Sequence, residues 1–156
     1  MARIIPEQPF EVDYVKLTDT AHEPTHGSDW AAGYDLYADL EGKSMISLAP
    51  GEVRKISTGI AIALPFGTFG ALYARSGMAT KRGLAPANKV GVVDADYRGP
   101  IIVALRNESN EVQIIEHGER IAQLVVQPYL SIAFNQVKSI GTTARGEGGF
   151  GSTRSK

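Results

Sequence analysis

The chain has 156 residues, which suffices for one domain with a hydrophobic core and is too short for two domains of ordinary size. Its 43% hydrophobic and 21% charged residues are typical of a soluble globular protein and argue against a disordered or fibrous one. The absence of cysteine excludes disulfides, thiolate nucleophiles and thiolate zinc sites. A net charge of -1 gives no general attraction to nucleic acid or to membranes, so neither is expected as a partner.

The sequence also lacks the segments that direct a chain out of the cytoplasm. No apolar run approaches the roughly 18 residues that a membrane span needs. The N-terminus has no basic stretch followed by an apolar one, which is the pattern of a signal peptide. We therefore expect an intracellular, cytoplasmic protein.

Short apolar or alternating stretches, separated by turn residues, follow one another along the chain and predict β-strands. The predicted strands lie at residues 10–14, 60–64, 69–73, 101–105, 121–126 and 132–137. Turn signals such as Pro50-Gly51, Arg98-Gly99-Pro100 and His117-Gly118 stand between these stretches. Because no strand alternates with a long helix, the pattern favours an antiparallel all-β fold, a sandwich or barrel.

Two segments depart from the strand pattern. One short helix is predicted from about Gly77 to Lys81, before Gly83 and Pro86 end it. From Gly141 onward the chain is rich in Gly, Ser, Thr and Arg and has no apolar periodicity, which predicts a flexible arm. We therefore predict one β domain over residues 1–140 and a C-terminal arm over residues 141–156.

Two short sequences match known motifs without the context that those motifs need. Residues 22–26 (HEPTH) have the H-E-x-x-H spacing of zinc proteases, but Pro24 opposes the helix that would place both imidazoles on one face. We predict a polar surface loop there. Residues 146–151 (GEGGFG) match the dinucleotide fingerprint G-x-G-x-x-G, but they lie too near the C-terminus to open a βαβ unit. Such a segment can still wrap phosphates in another way.

Four polar stretches interrupt the strands, at residues 32–36 (AGYDL), 75–77 (RSG), 91–99 (GVVDADYRG) and 118–123 (GERIAQ). Each alone is weak, because a surface turn or a satisfied buried polar group would explain it. Together with residues 145–153 they resemble, in order, the five motifs of the trimeric deoxyuridine triphosphatase (dUTPase) family. The resemblance implies a jelly-roll-like β-clip subunit and a homotrimer with shared active sites. It implies hydrolysis of dUTP to dUMP and pyrophosphate, which limits uracil in DNA and supplies dUMP for dTTP synthesis.

The resemblance also assigns the nucleoside end of the site. Asp94 resembles the general base that draws a proton from the water attacking the α-phosphate, whereas Asp96 falls at a variable or structural position. Tyr97 is similar to the aromatic residue that packs on deoxyribose and excludes a 2′-hydroxyl. Asn88 matches the hairpin that reads uracil, and the implied substrate contacts on the same hairpin include Gly91 and Val93.

The phosphate end follows from the same resemblance. Implied phosphate contacts are Arg75, Ser76, Gly77 and Gln123, and the planar guanidinium fork suits two phosphate oxygens. Asp35 resembles a carboxylate that steadies the water shell of Mg²⁺, an ion that takes its direct oxygens largely from phosphates and water. In the arm, the implied substrate contacts are Arg145, Phe150, Gly151, Ser152 and Thr153, with Phe150 stacking on uracil as the arm closes over the nucleotide.

Two other functions stay open at this point. A dCTP deaminase shares the fold and much of the phosphate-binding pattern, but its chemistry needs a glutamate on the strand after the hairpin, where residues 101–105 are all apolar. A non-catalytic jelly-roll module could retain a nucleotide pocket. The presence of Asp94 together with the phosphate-contacting residues argues against that module.

Overall fold

The structure is a computed structural model that describes residues 10–149. In this part of the chain, short strands succeed one another and a single helix interrupts them. The elements are β1 (Asp13–Lys16), β2 (Thr25–His26), β3 (Tyr34–Tyr37), β4 (Met45–Leu48), β5 (Val53–Ser57), β6 (Ile60–Ala63), β7 (Thr68–Tyr73), α1 (Ser76–Arg82), β8 (Leu84–Pro86), β9 (Gly91–Val93), β10 (Ile102–Asn107), β11 (Gln113–Glu116) and β12 (Arg120–Pro128).

Every strand pairing in the described chain is antiparallel. The largest sheet has the order β2-β3-β12-β7-β9, and the three smaller ones are β5-β10-β8, β1-β6 and β11-β4. The predicted antiparallel all-β fold is thereby confirmed, and the described strands close no barrel. The predicted short helix is also confirmed as α1.

Two buried clusters make the core, and the five-stranded sheet contributes to both. Because side chains alternate across a strand, one face of this sheet turns inward with Leu36, Leu72, Val93 and Leu124. The second cluster gathers Leu48, Ile56, Leu84, Val103, Leu105, Ile115 and Ile121 beneath α1. Each such aliphatic side chain stabilises the fold by roughly 1.5–3 kcal/mol relative to an exposed one. The opposite face of the five-stranded sheet carries the polar residues Asp35 and Gln123.

Helix α1 is held at its C-terminal end by backbone and side-chain hydrogen bonds. Its C-cap Gly83 has φ 64°, a left-handed conformation that glycine adopts readily, and its amide donates to the Met78 carbonyl. Near that end, the Arg82 guanidinium donates to Gln113 Oε1 (3.1 Å), to the Ile114 carbonyl and to the Glu119 carboxylate. These contacts tie α1 to β11 and to the start of β12.

The strand predicted over residues 132–137 is wrong, because the structure has no strand there. Strand β12 ends at Pro128, and no other strand in the described chain pairs with the segment that follows. Its apolar side chains are largely exposed, by 89% for Leu130, 70% for Ile132 and 96% for Phe134. An apolar stretch alone forms no strand without a partner edge.

The H-E-x-x-H segment is not helical, since Thr25–His26 forms β2 at the edge of the large sheet. The His22 ring stacks on Tyr37 with centroids 5.2 Å apart, and the His26 ring lies 3.8 Å from that of Tyr34. The two imidazoles thus contact different tyrosines. In residues 10–149, no helix is long and apolar enough to cross a membrane.

Candidate active site

The outward face of the five-stranded sheet carries polar residues at both ends and apolar residues between them. Strand register places Asp35, Gln123 and Tyr73 side by side in one row. The next row is Val125, Ala71 and Val92. Phe69 and Gln127 form a third row, where the chain leaving β9 brings Asp94. We call the first row, with the adjoining Arg75 and Arg120, the arginine end, and the segment Asp94–Pro100 the Asp94 turn.

At the arginine end, a buried carboxylate lies between two guanidinium groups. Asp35 is only 8% exposed, and its Oδ1 accepts from Arg75 Nε at 2.7 Å. Its Oδ2 accepts from Arg120 Nη1 at 3.1 Å and from Arg75 Nη2 at 3.4 Å. The Arg120 carbonyl accepts from Arg75 Nη1 at 3.4 Å. Charge-assisted contacts on both oxygens fix the Asp35 side chain and orient Arg75 before any ligand binds.

Gln123 holds the corner between β7 and α1. Its Nε2 donates to the Ala74 carbonyl at 2.9 Å, one residue before Arg75. A Cβ on Gly33 would lie 2.6 Å from Gln123 Oε1, so a larger residue at this position would displace the Gln123 amide. The predicted phosphate-contacting residues Arg75 and Gln123 are therefore brought together by the structure.

Ser76 and Gly77 open α1 beside this corner, and both are exposed. Arg75 precedes them with φ -80° and ψ 134°, an extended conformation that continues the direction of β7. Arg75, Ser76 and Gly77 thus follow one another from the sheet edge into the first helical turn. A guanidinium, a hydroxyl and free backbone amides at one corner can all donate to phosphate oxygens.

The Asp94 turn lies at the other end of the sheet face. Asp94 follows β9 and is exposed, and its carbonyl accepts from the Tyr97 amide at 3.1 Å. The Tyr97 hydroxyl donates to the Pro100 carbonyl at 3.0 Å, which folds the ring back over its own turn. A Cβ on Gly99 would lie 2.6 Å from Tyr97 Cζ, so glycine makes room for the ring. Phe66, Phe69, Val92 and Tyr129 contribute apolar walls to a groove of about 620 Å³ that reaches Asp94.

Asn88 lies on the loop that joins β8 to β9, and it is exposed. The loop is tight: the Lys89 amide donates to the Pro86 carbonyl at 2.9 Å, and Lys89 itself has φ 64°. Asn88 Nδ2 lies 3.3 Å from the position of a Cβ on Gly91, where Leu72 atoms also approach. Val93, two residues on, faces the core. The predicted hairpin residues are therefore close together, although the Val93 side chain is turned away from solvent.

Within one chain the two ends of the face are far apart. The register opposes Gly70 to Val93, so Asp94 lies level with Phe69, and Arg75 lies six residues further along. At about 3.3 Å per residue in an extended strand, the Cα atoms of Asp94 and Arg75 are roughly 20 Å apart. Even when fully extended, the Arg75 and Asp94 side chains of one chain cannot meet across this distance.

The predicted residues of the C-terminal arm are only partly described. Arg145 Nε donates to the Gly148 carbonyl at 2.9 Å, within a turn of the arm itself. This exposed contact does not bring Arg145 to the sheet face. Phe150, Gly151, Ser152 and Thr153 lie outside the described residues.

The described acidic residues do not by themselves form a complete metal-binding site. Among residues 10–149 there is no group of three or more His, Asp or Glu side chains placed to hold a metal ion. Asp35 already accepts three N–H contacts, from Arg75 Nε, Arg75 Nη2 and Arg120 Nη1. A carboxylate offers about four acceptor positions, so one remains for a metal-bound water. The residues fit an ion whose other oxygens come from a nucleotide and from solvent.

Sequence reasoning did not assign Arg120 or Gly99 to the site. Arg120 belongs to the same short polar stretch as Gln123, but nothing local indicates that its side chain reaches Asp35, 85 residues away. Gly99 ends the stretch that contains Asp94, and its role depends on where the Tyr97 ring folds.

The fold and this face define an antiparallel β protein with a cationic end suited to phosphate and a separate, exposed carboxylate. The family model for dUTPase matches residues 19–154. A deoxyuridine 5'-triphosphate nucleotidohydrolase of Desulfitobacterium hafniense is 44% identical over 92% of this chain and 94% of its own. One from Rhizobium etli is 43% identical over 83% of each chain.

Solved structures agree with these relatives. A variant of the dUTPase of Staphylococcus bacteriophage 80alpha, with dUpNHpp, superposes with a TM-score of 0.81 at 29% identity. The match covers 91% of this chain and 97% of the phage protein. A phage phi11 dUTPase variant, described with a coordinated structural Mg(II) ion, has the same fold at a TM-score of 0.73 and 24% identity. The chain belongs to the dUTPase family, which confirms the family resemblance read from the sequence.

Proposed function

We propose that this chain hydrolyses dUTP to dUMP and pyrophosphate. The family assignment confirms the enzyme class predicted from the sequence. One structural observation carries the mechanism: a fixed arginine end and an exposed Asp94 occupy opposite ends of one sheet face. Cationic groups at one end bind the phosphates, and the carboxylate at the other end accepts a proton from a water molecule. Opposed across an interface between chains, these parts make one site.

Asp94 is the general base of this site. Its Oδ atoms take a proton from water as that water attacks the α-phosphorus, and the bond to the departing pyrophosphate oxygen breaks. A positioned base of this kind is typically worth about 10²–10⁴ in rate. The exposed position of Asp94 after β9 supports this role, because the side chain can meet a ligand without rearrangement of the core.

Tyr97 and Asn88 select the nucleoside. The Tyr97 ring, held over its turn by Pro100 and Gly99, packs on deoxyribose and leaves no room for a 2′-hydroxyl. Asn88 lies on the tight loop whose main chain, together with Gly91 and Val93, reads the uracil edge. Cytosine presents a donor where uracil presents an acceptor, and each group left unpaired costs about 1–3 kcal/mol.

Arg75, Ser76, Gly77 and Gln123 bind the phosphates. Arg75 has five N–H groups, and the structure uses Nε and one hydrogen each on Nη1 and Nη2, so two hydrogens stay free for phosphate oxygens. Because Asp35 holds the guanidinium in place, little side-chain entropy is lost when phosphate binds.

Mg²⁺ is the cofactor of this proposal. When bound, it neutralises charge on the phosphates and makes the departing pyrophosphate a better leaving group. Asp35 would hold it indirectly by accepting a hydrogen bond from one water of its shell. The acceptor position left on Asp35 supports this assignment.

Two observations support an assembly with shared sites, and the family resemblance gives its number of chains as three. The roughly 20 Å between Asp94 and Arg75 of one chain is too long for one nucleotide to bridge at adjacent phosphates, so a neighbouring chain must supply one of them. Leu130, Ile132 and Phe134 are exposed after β12, and burial of such side chains in an assembly stabilises it. The body over residues 1–140 forms the trimer, and the arm over residues 141–156 closes the site with Arg145, Phe150, Gly151, Ser152 and Thr153.

The deaminase alternative has no support at β10. This strand, Ile102–Asn107, contains no carboxylate, and its inward residues Val103 and Leu105 are buried in the core. A proton shuttle for deamination would therefore have no side chain on the strand after the hairpin.

One assay separates the three functions. The protein is incubated with magnesium and dUTP, dCTP or UTP, while pyrophosphate, ammonia and the product base are followed. We expect dUMP and pyrophosphate from dUTP alone. Ammonia from dCTP would establish the deaminase instead, and absence of any product with retained nucleotide binding would establish the non-catalytic module.

A further inference from the structure

Arg120 contacts both members of the Arg75–Asp35 ion pair. It begins β12, and its Nη1 donates to Asp35 Oδ2 at 3.1 Å. Its own carbonyl accepts from Arg75 Nη1 at 3.4 Å. Its side chain remains 49% exposed, in the region that Arg75 offers to phosphate. Arg120 is thus placed to influence how Arg75 meets a ligand.

The charges at the arginine end explain why a second arginine is useful. Arg75 and Asp35 alone form a neutral pair, which has little net attraction for a polyanion. Arg120 makes the group net positive, with two guanidinium charges and one carboxylate. Since the group is partly exposed, its attraction for a triphosphate is moderate and should weaken as salt increases.

Arg120 also affects how strongly Asp35 competes with a phosphate for the N–H groups of Arg75. A phosphate approaching this guanidinium competes with Asp35 for the same hydrogens. Because Arg120 satisfies Oδ2, Asp35 depends less on Arg75 Nη2, whose contact is the longer one at 3.4 Å. Arg75 can then turn that nitrogen towards a phosphate while its Nε contact to Asp35, at 2.7 Å, persists.

Glu119, the residue before Arg120, contacts the C-terminal end of α1. The Glu119 carboxylate accepts from Arg82, near the end of α1, and also from the Glu116 amide at 3.1 Å. Glu119 and Arg120 therefore connect to both ends of the helix that begins with Ser76. A substitution of Arg120 is therefore expected to change the arginine end and not the distant Asp94 turn.

From this geometry we propose that Arg120 is a positioning residue for the triphosphate, acting through Asp35 and Arg75 and through its charge. The proposal rests on the proposed function, since it takes the arginine end as the phosphate end. It predicts an effect on binding of the triphosphate that dUMP does not share, because dUMP lacks the β- and γ-phosphates.

The test compares Arg120→Gln and Arg120→Lys with Arg54→Gln as control. Arg54 is also paired with one carboxylate, Glu52, at 2.5 Å and is 41% exposed, but it lies on β5 in another sheet. Dissociation constants are measured with magnesium for the α,β-imido analogue of dUTP and for dUMP. We expect Arg120→Gln to weaken analogue binding about tenfold, Arg120→Lys less than about threefold and Arg54→Gln not measurably, with dUMP unchanged throughout.

Salt provides a readout that a purely structural residue would not change. Between low and high KCl, affinity for the analogue should fall less steeply in Arg120→Gln than in the wild type, because one attractive charge is missing. In steady state, the loss should appear in KM with kcat within about threefold, since the phosphates carry their charge in both bound substrate and transition state.

Several outcomes would overturn the proposal. These are unchanged analogue binding in Arg120→Gln, an equal loss for dUMP, or an Arg120→Lys variant as weak as Arg120→Gln. If Arg120→Gln does not fold, a tenfold loss in a folded Arg120→Lys at low salt contradicts the proposal, and near wild-type binding there supports it. Absence of dUTP turnover in the wild type, with the predicted binding pattern intact, would reject the proposed function and leave the role of Arg120 in place.

Discussion

The arginine end and the Asp94 turn differ in how complete they are within one chain. Asp35 is buried, and both of its oxygens accept hydrogen bonds from side chains far away in sequence. Asp94 is exposed, and the side-chain and backbone hydrogen bonds of its turn stay within residues 94–100. In the proposed function, the subunit itself therefore preorganises the groups that bind phosphate, whereas Asp94 needs a second chain to complete its surroundings.

The largest expected effect comes from Asp94→Asn. It should lower dUTP turnover by about 10²–10⁴ while affinity for the imido analogue and the free energy of unfolding stay near wild type, because an exposed side chain loses only its basicity. Pyrophosphate release and analogue titration measure the two quantities. Asp96→Asn, two residues on and also exposed, is the matched control and should keep wild-type turnover. Equal losses in the two variants would contradict the assignment.

At the arginine end, Asp35→Asn should act on stability. An uncharged amide leaves Arg75 and Arg120 in mutual repulsion, and we expect about 1–3 kcal/mol less stability, a range reduced for their partial exposure. Urea unfolding at fixed protein concentration measures it. A fully stable Asp35→Asn would show that this end is not preorganised by its ion pairs.

Gly99→Ala tests the Asp94 turn by steric means. The new Cβ would lie 2.6 Å from Tyr97 Cζ, so the ring must move away from its place over the turn. We expect the preference for dUTP over UTP, as a ratio of kcat/KM values, to fall by roughly tenfold. Gly27→Ala is the control, since its Cβ would meet nothing within 4 Å. Unchanged selectivity in Gly99→Ala would remove Tyr97 from sugar discrimination.

The smallest effect concerns a second buried carboxylate, Asp39, which follows β3. Burial alone would raise its pKa, but hydrogen bonds from the Thr18 and Thr20 hydroxyls and the Glu41 amide, with His117 nearby, hold the pKa below its ordinary value. A carboxyl with a lowered pKa in the folded state stabilises it above about pH 4, and this contribution is lost as pH falls through the folded pKa.

Asp39→Asn should therefore be less stable than wild type at pH 7, with the difference narrowing below about pH 4. Urea unfolding across this range measures the change. A difference that stays constant with pH would show that the charge of Asp39 contributes nothing to folding.

Local sequence patterns predicted several elements and missed others for a physical reason. The apolar stretches at residues 69–73 and 121–126 predict β7 and β12, and both strands contribute buried residues to the core. Strand β5, with the sequence VRKIS, has no comparable pattern and depends on pairing with β10. Residues 132–137 have the pattern but find no partner edge in the described chain.

In the candidate site, too, residues in local motifs were predicted from the sequence, whereas contacts between distant residues were not. Family resemblance predicted Asp94, Tyr97, Arg75 and Gln123 by type and order, since these residues lie in short motifs. The contacts that Asp35 makes with Arg75 and Arg120 span 40 and 85 positions, so only the folded sheet reveals them. The structure likewise shows that Asp94 and Arg75 of one chain are far apart.

Mixed assemblies test the shared site most directly. Asp94→Asn and Arg75→Ala chains, each inactive alone, are co-expressed with different tags, and doubly tagged assemblies are purified and assayed with dUTP. If each site combines Asp94 of one chain with Arg75 of another, one of the three sites in a doubly tagged trimer has both residues intact, so turnover should recover to about one third of wild type. Mixed assemblies as inactive as the parents would mean that one chain supplies both residues, and would contradict the account.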